Sequence, residues 1–205
     1  MVFCRLDITF CLVMFREYTQ AETNQHNALT EKGWAILNDY ILLPGRENIR
    51  IGFFAKRRLK KAIALFHDAL RINPENYSSK WALGKIHQVL GEHGCSLKWF
   101  EEAMSLEKSN ADVYREASLA AMDCGEFSKA LKFSDKAIAL KPDDAGLHCN
   151  KALALMFLNR DADAIEAVVS SLQLNAKDQI VLNVRVIVHS VADGSRPRPR
   201  TMKDL

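Results

Sequence analysis

Helix-breaking residues are scarce here. Nine glycines and five prolines in 205 residues leave room for long uninterrupted helices. Disulfide chemistry has little to work with. The five cysteines (Cys4, Cys11, Cys95, Cys124 and Cys149) are odd in number, widely spaced and include no Cys-x-x-Cys pair. That pattern argues for a reduced, cytoplasmic chain with buried or incidental thiols. No apolar run approaches the roughly 20 residues of a membrane-spanning helix. A net charge of +3 is too mild to argue for nucleic acid. A Gly-rich phosphate loop, Gly-x-Ser-x-Gly and His-Glu-x-x-His are all missing. No enzymatic activity, catalytic residue or cofactor is therefore expected. His87, Glu92, His93 and Cys95 lie close in sequence, but not at the spacing of a zinc site, and no metal is expected either.

What the chain does have is a period of 34 between about Lys61 and Asp178. Ile72, Leu106, Leu140 and Leu174 keep it, as do Pro74, Lys108, Pro142 and Ala176. So do Ala69, Ala103, Ala137 and Ser171, and Ala62, Ser96, Ala130 and Ala164. Self-similarity at a fixed period dictates architecture before any local signal does. Two antiparallel helices approach closely only where a small residue faces the partner. Gly84, Ser118 and Ala152 supply one in the first helix of each unit, and the Ala62 column supplies one in the second. Phe66 and Phe100 fill the space beside them. Gly91 and Gly125 suit a helix-ending turn at positive φ. Pro74 and Pro142 separate the units, because proline cannot continue a helix. The 48% apolar content suffices for a core shared between units.

Leu83-Gly84, His87, Ser96, Phe100 and Ala103 in Tyr77–Asn110, followed by Tyr114, Gly125, Phe127, Ala130, Ala137 and Pro142 in Ala111–Asp144, resemble the tetratricopeptide pattern. The third unit, Ala145–Asp178, is looser, with Ala152, Leu155, Asn159, Ala164 and Val168 standing in. The resemblance implies an all-α solenoid of antiparallel helix-turn-helix repeats, forming a right-handed superhelix. The expected divisions are an N-terminal segment (1–27) whose order is left open, then a split first repeat (28–76) interrupted by a basic insertion (44–61). Three repeats (77–110, 111–144 and 145–178), a capping helix (179–192) and a basic Pro/Arg tail (193–205) follow.

In the split repeat, residues 21–27 read as polar linker and Thr30 as a helix cap. Trp34, Leu37 and Ile41 read as the first helix's stripe, and the insertion spans about a dozen residues. The second helix is expected to begin near Ile49 after Asn48. Phe53-Phe54 are expected to plug the gap that the insertion makes. The run Lys56-Arg57-Arg58-Leu59-Lys60-Lys61 reads as a solvated helix face, with phosphate or an acidic partner as the alternative. Residues 1–20 are a poor signal peptide and read as a short strand or helix on the solenoid end, or as a start placed too early, rather than as an anchor. Residues 179–191 favour strand by propensity. The next helix falls due there, and Ile180, Val184, Ile187, Val188 and Val191 share one helical stripe. The tail is expected to be extended and disordered, with docking along the solenoid as the alternative.

The resemblance also implies that the first helices line a concave groove. Faces at i, i+4 and i+7 then give Trp81, Lys85 and Gln88, then Asp112, Arg115, Glu116, Leu119 and Met122, then Asn150, Leu153 and Met156, beside Cys149 and Phe157. This groove runs from mixed polar to apolar and suits a peptide or helix of a client protein. Cover by the C-terminal helix is the alternative for its apolar end. Repeats of this kind that grip a C-terminal carboxylate use paired Lys/Arg and Asn residues. Arg115 and Asn150 match two such positions, but Leu119, Ile180 and Val184 break the rest, which argues against chaperone-tail binding. The expected function is that of a scaffold or adaptor with a protein partner. Self-association, or binding of RNA or anionic lipid by the basic patches, stands as the alternative; neither nucleic acid nor membrane is the expected partner.

Overall fold

A computed structural model of the chain describes residues 17–41 and 51–205. Among them are nine α-helices and no strand. They are α1 (Gln20–Leu37), α2 (Phe53–Ile72), α3 (Tyr77–Val89), α4 (His93–Leu106), α5 (Ala111–Asp123), α6 (Phe127–Leu140), α7 (Ala145–Phe157), α8 (Asp161–Leu174) and α9 (Gln179–Ala192). Each helix packs on the next, and α9 also packs on α7. This is an all-α helical-repeat stack.

The 34-residue columns explain the packing. Ala62, Ser96, Ala130 and Ala164 are fully buried, and so are Ala69, Ala103, Ala137 and Ser171. Ile72, Leu106, Leu140 and Leu174 are each the last residue of a second helix. Where the small residue is serine, its hydroxyl is satisfied inside the stack. Ser96 donates to the Gly84 carbonyl at 2.9 Å, and Ser118 to the Ala130 carbonyl at 2.9 Å. The turn within each unit needs one residue in the left-handed region. Gly91 (φ 75°), Gly125 (φ 76°) and Asn159 (φ 60°) supply it at a constant spacing. Gly84 is required by close approach, since a Cβ there would lie 2.6 Å from the Phe100 ring.

The first pair of helices departs from expectation in several ways. Residues 21–27 are helix, not linker. α1 starts at Gln20 behind a capping box, in which Thr19 accepts from the Glu22 amide and Glu22 accepts from the Thr19 amide. Thr30 lies inside α1, donating to the Asn27 carbonyl at 2.9 Å. The close approach to Phe66 falls at Gly33, where a Cβ would sit 2.7 Å from the ring. Gly33 is therefore the counterpart of Gly84. Gly33 precedes Ala62 by 29 residues where Gly84 precedes Ser96 by 12, so the insertion is 17 residues. α2 begins at Phe53 after Gly52. Asn48, with the rest of 42–50, lies outside the described residues, as do residues 1–16 with Cys4 and Cys11. Phe53 and Phe54 fill no gap: they are 74% and 79% exposed.

The C-terminal end brings two corrections. α9 is a helix, but its buried stripe is Val181, Val184, Val188 and Val191, with Ile180 66% exposed. Residues 195–205 are not disordered. They form an ordered strap that closes on a short 3₁₀ turn, Met202–Asp204, with Pro199 buried. Met202 and Leu205 pack on the apolar cluster that holds Phe157 and Val184.

Candidate binding groove

The face built by α1, α3, α5 and α7 begins with stacked aromatics. Trp34 lies on Trp81 with ring centroids 5.8 Å apart and planes at 26°, and its indole N–H donates to Ser78 at 3.2 Å. Trp34 also meets Phe66 edge-on at 5.8 Å, and Trp81 meets Phe100 at 6.4 Å. Two units are thus joined through four aromatic rings. Trp81 and Gln88 are half-buried, with the Lys85 ammonium 5.7 Å from the Trp81 ring centre.

From there a line of charged pairs crosses the unit boundaries. Lys85 on α3 meets Glu116 on α5 at 3.0 Å, and Gln88 donates to the same carboxylate at 3.4 Å. Arg115 on α5 pairs with Asp112 at 3.1 Å and with Asp144, the residue that caps α7. Lys141 meets Asp144 at 3.3 Å. Burial alone would raise the Asp144 carboxyl, but Arg115 and Lys141 outweigh it and hold the group below its usual range. Arg115 keeps a buried Nε–H with no hydrogen-bond partner. At the near end of the line, Asn110 donates to the Tyr77 hydroxyl at 3.1 Å. Burial, then the nearby Asp112, Glu107 and Glu116, push that phenol up to about 12.

The residues expected to line the groove therefore divide into two sets. Trp81, Lys85, Gln88, Asp112, Arg115 and Glu116 are brought together on one partly exposed face. Leu119 and Asn150 are half-buried beside them. Met122, Leu153 and Met156 do not form an open apolar end: they are 1%, 8% and 0% exposed and belong to the core. Phe157 is stacked on Phe127 at 4.2 Å, and Cys149 is buried against Ser171. Helix α9 and the strap pack on the same cluster, so those side chains are interior.

Of the two pairs flanking the inner turn, one is local and one joins α4 to α5. His87 Nδ1 lies 2.6 Å from Glu92, and His93 Nδ1 lies 3.2 Å from Asp123. Among the described residues no group of three or more His, Cys, Asp or Glu side chains could hold a metal ion.

Sequence reasoning misses Trp34 as part of this face, because it sets α1 in the wrong register. It also misses a readable signal. Asn76, Asn110, Asp144 and Asp178 recur every 34 residues, and each caps the first helix of the following unit. Their side chains accept from Ser79 N–H at 2.8 Å, Asp112 N–H at 2.9 Å, Gly146 N–H at 3.0 Å and Ile180 N–H at 2.7 Å.

The fold defined by these helices is that of the tetratricopeptide-repeat proteins. The chain is similar to a crystal structure of MamA, with 19% identity, a TM-score of 0.62, and coverage of 76% of this chain and 92% of that one. It is similar to YrrB, described as a TPR protein with an unusual peptide-binding site, with 13% identity, a TM-score of 0.62 and coverage of 97% and 89%. It also resembles PilF of Pseudomonas aeruginosa, with 17% identity, a TM-score of 0.63 and coverage of 86% and 72%. No family model matches the sequence, and comparison with curated proteins finds no match.

Proposed function

We propose that this chain is a non-enzymatic interaction module, a cytoplasmic adaptor or scaffold that holds a peptide or helix of a client protein against α3 and α5. One observation carries the reading. Lys85, Glu116, Arg115 and Asp112 form a line of partly exposed ion pairs across two units, beside the Trp34–Trp81 stack. Such side chains are already held in place, so a client of alternating charge exchanges one set of partners for another at small ordering cost. The peptide-binding site described for YrrB, a protein of similar fold, supports this reading. Among the described residues no helix is long and apolar enough to cross a membrane.

The test is capture of clients from the native host by the intact chain and by a Lys85→Ala/Arg115→Ala variant. The variant should lose its client by at least about tenfold in affinity, equivalent to about 1.4 kcal/mol. Lys85 and Glu116 are only 14% and 16% exposed, so losing these partners costs stability as well, about 1–3 kcal/mol for each group left unpaired, and capture is compared at a temperature where both chains are folded. Equal capture by both chains rejects the groove.

A second reading rests on α2. Its face opposite Leu59, Ala62 and Phe66 carries Phe53, Phe54, Lys56, Arg57, Lys60 and Lys61, all exposed. Arg58 instead turns back onto Asp39 at 2.6 Å. Exposed aromatics among lysine and arginine suit an anionic lipid surface, with rings at the acyl boundary and charges at the headgroups. Cosedimentation with phosphatidylserine vesicles should fall with added salt and be reduced by Phe53→Ser/Phe54→Ser. Absence of binding at low salt disposes of this reading.

A further inference from the structure

Residues 195–205 dock on the α7–α8 turn through long-range hydrogen bonds. The chain leaves α9 through Gly194 at φ 78°. The Arg196 amide donates to the Ser190 carbonyl at 2.8 Å, and the Arg196 guanidinium donates to the main-chain oxygens of Asp204 and Leu205 at 3.0 Å each. Arg198 then reaches across the turn between α7 and α8. Its two terminal nitrogens take the two Asp161 oxygens at 2.9 and 2.7 Å, and one of them also donates to the Met156 carbonyl. Pro199 is buried directly after it.

Each part of this contact has a chemical reason. A planar guanidinium matches a carboxylate as a two-pronged fork, which an ammonium cannot do. The Met156 carbonyl belongs to the last turn of α7, where the helix end favours a cation, and it accepts from Arg198 as well as from the Asn159 amide at 3.1 Å. Proline keeps the segment extended at little entropic cost. The Arg198 hydrogen bonds hold the Asp161 carboxyl below its usual range, so the pair stays ionised through neutral and mildly acidic pH. The acceptor is also peculiar to this unit: the positions matching Asp161 in the two preceding units are His93 and Phe127.

We infer that the α7–α8 turn is a second recognition site, for an extended segment in which an arginine is followed by proline, and that the chain occupies this site with its own residues 195–205. A partner protein presenting Arg-Pro in an extended stretch competes for it. Attachment in cis gives the chain's own segment an effective concentration on the order of millimolar, so the site is closed until a stronger or more concentrated segment displaces the strap. This site shares no residue with the Lys85–Arg115 face, and its failure would leave the groove reading untouched.

The experiment uses a fluorescent peptide of residues 195–205 and three full-length chains: unaltered, Arg198→Ala, and Arg198→Ala/Asp161→Ala. The Arg198→Ala chain, its own strap released, should bind the peptide at least about tenfold more tightly than the unaltered chain. The double variant should lose that gain, and a peptide carrying Arg198→Ala should bind none of the three. Trypsin cleavage after Arg200 gives an independent readout of closure in the full chain. It should be several-fold faster in Arg198→Ala than in the unaltered chain. The inference is overturned if the Arg198→Ala chain fails to bind the peptide at millimolar concentration, if the double variant binds it equally well, or if cleavage after Arg200 does not change.

Discussion

Gly84 and Gly33 show how one missing Cβ sets a helix pair. At Gly84 the three atoms nearest an added methyl would all be Phe100 ring carbons, at 2.6, 2.8 and 2.9 Å. At Gly33 the nearest three are Phe66 ring carbons, at 2.7, 2.9 and 3.1 Å. Both rings are fully buried and cannot swing into solvent. Gly94, on α4, has nothing within 4 Å of such a methyl. Gly84→Ala should therefore destabilise by about 1–3 kcal/mol through overpacking, despite the roughly 1 kcal/mol that alanine gains over glycine in a helix. Gly94→Ala should be neutral or stabilising by up to about 1 kcal/mol. Urea denaturation of both variants checks the pair, and equal stabilities would remove the close-approach argument. Gly84 is legible from the sequence because its column recurs. Gly33 is not, because Trp34 and Leu37 mimic the aromatic and leucine of a first helix out of register. The 17-residue insertion prevents counting back from the next unit.

Each helix element is bounded by its own signals, and those signals differ in kind along the chain. First helices after α1 begin behind Asn76, Asn110, Asp144 and Asp178, whereas second helices α4, α6 and α8 begin with no side-chain cap bond, at Glu92, Glu126 and Arg160. Their Ncap positions follow a tight turn whose geometry already fixes the chain. Helix α9 depends most on its cap, since its run of valine and isoleucine favours strand. Asp178 accepts from both the Ile180 and Val181 amides. Asp178→Ala should cost about 0.5–2 kcal/mol, while Glu126→Ala should stay within about 0.5 kcal/mol. Thermal melts followed by far-ultraviolet circular dichroism measure both, and a similar loss in the two variants would show that the Asp cap contributes nothing special. That 179–192 is helical follows from the period. Which side it buries does not, because Ile180 and Val181 are equally apolar and only the position of α7 and α8 decides between them.

At the scale of the whole molecule, the described residues form two apolar clusters. One is built from α1, α2 and α3 around Leu37, Leu59, Phe66 and Ile86, and the other runs from α4 to the strap. Trp34 packs against the first cluster and Trp81 against the second, so their stack joins the two. The opposite end of the expected groove, at Met122, Leu153 and Met156, is closed by α9 and the strap. By itself the sequence determined the helical-repeat class, the small-residue columns and the left-handed turn positions. These are contacts made again in every unit, so each leaves a mark at a spacing of 34. Only the tertiary structure decided the register of the first helix, the burial of the apolar groove residues and the docking of Arg198 on Asp161. Each of those is made once, between residues whose separation follows no period: 37 positions for the Arg198 pair. A contact without repetition leaves no pattern in the chain, and its energy exists only when the two distant groups have been brought together.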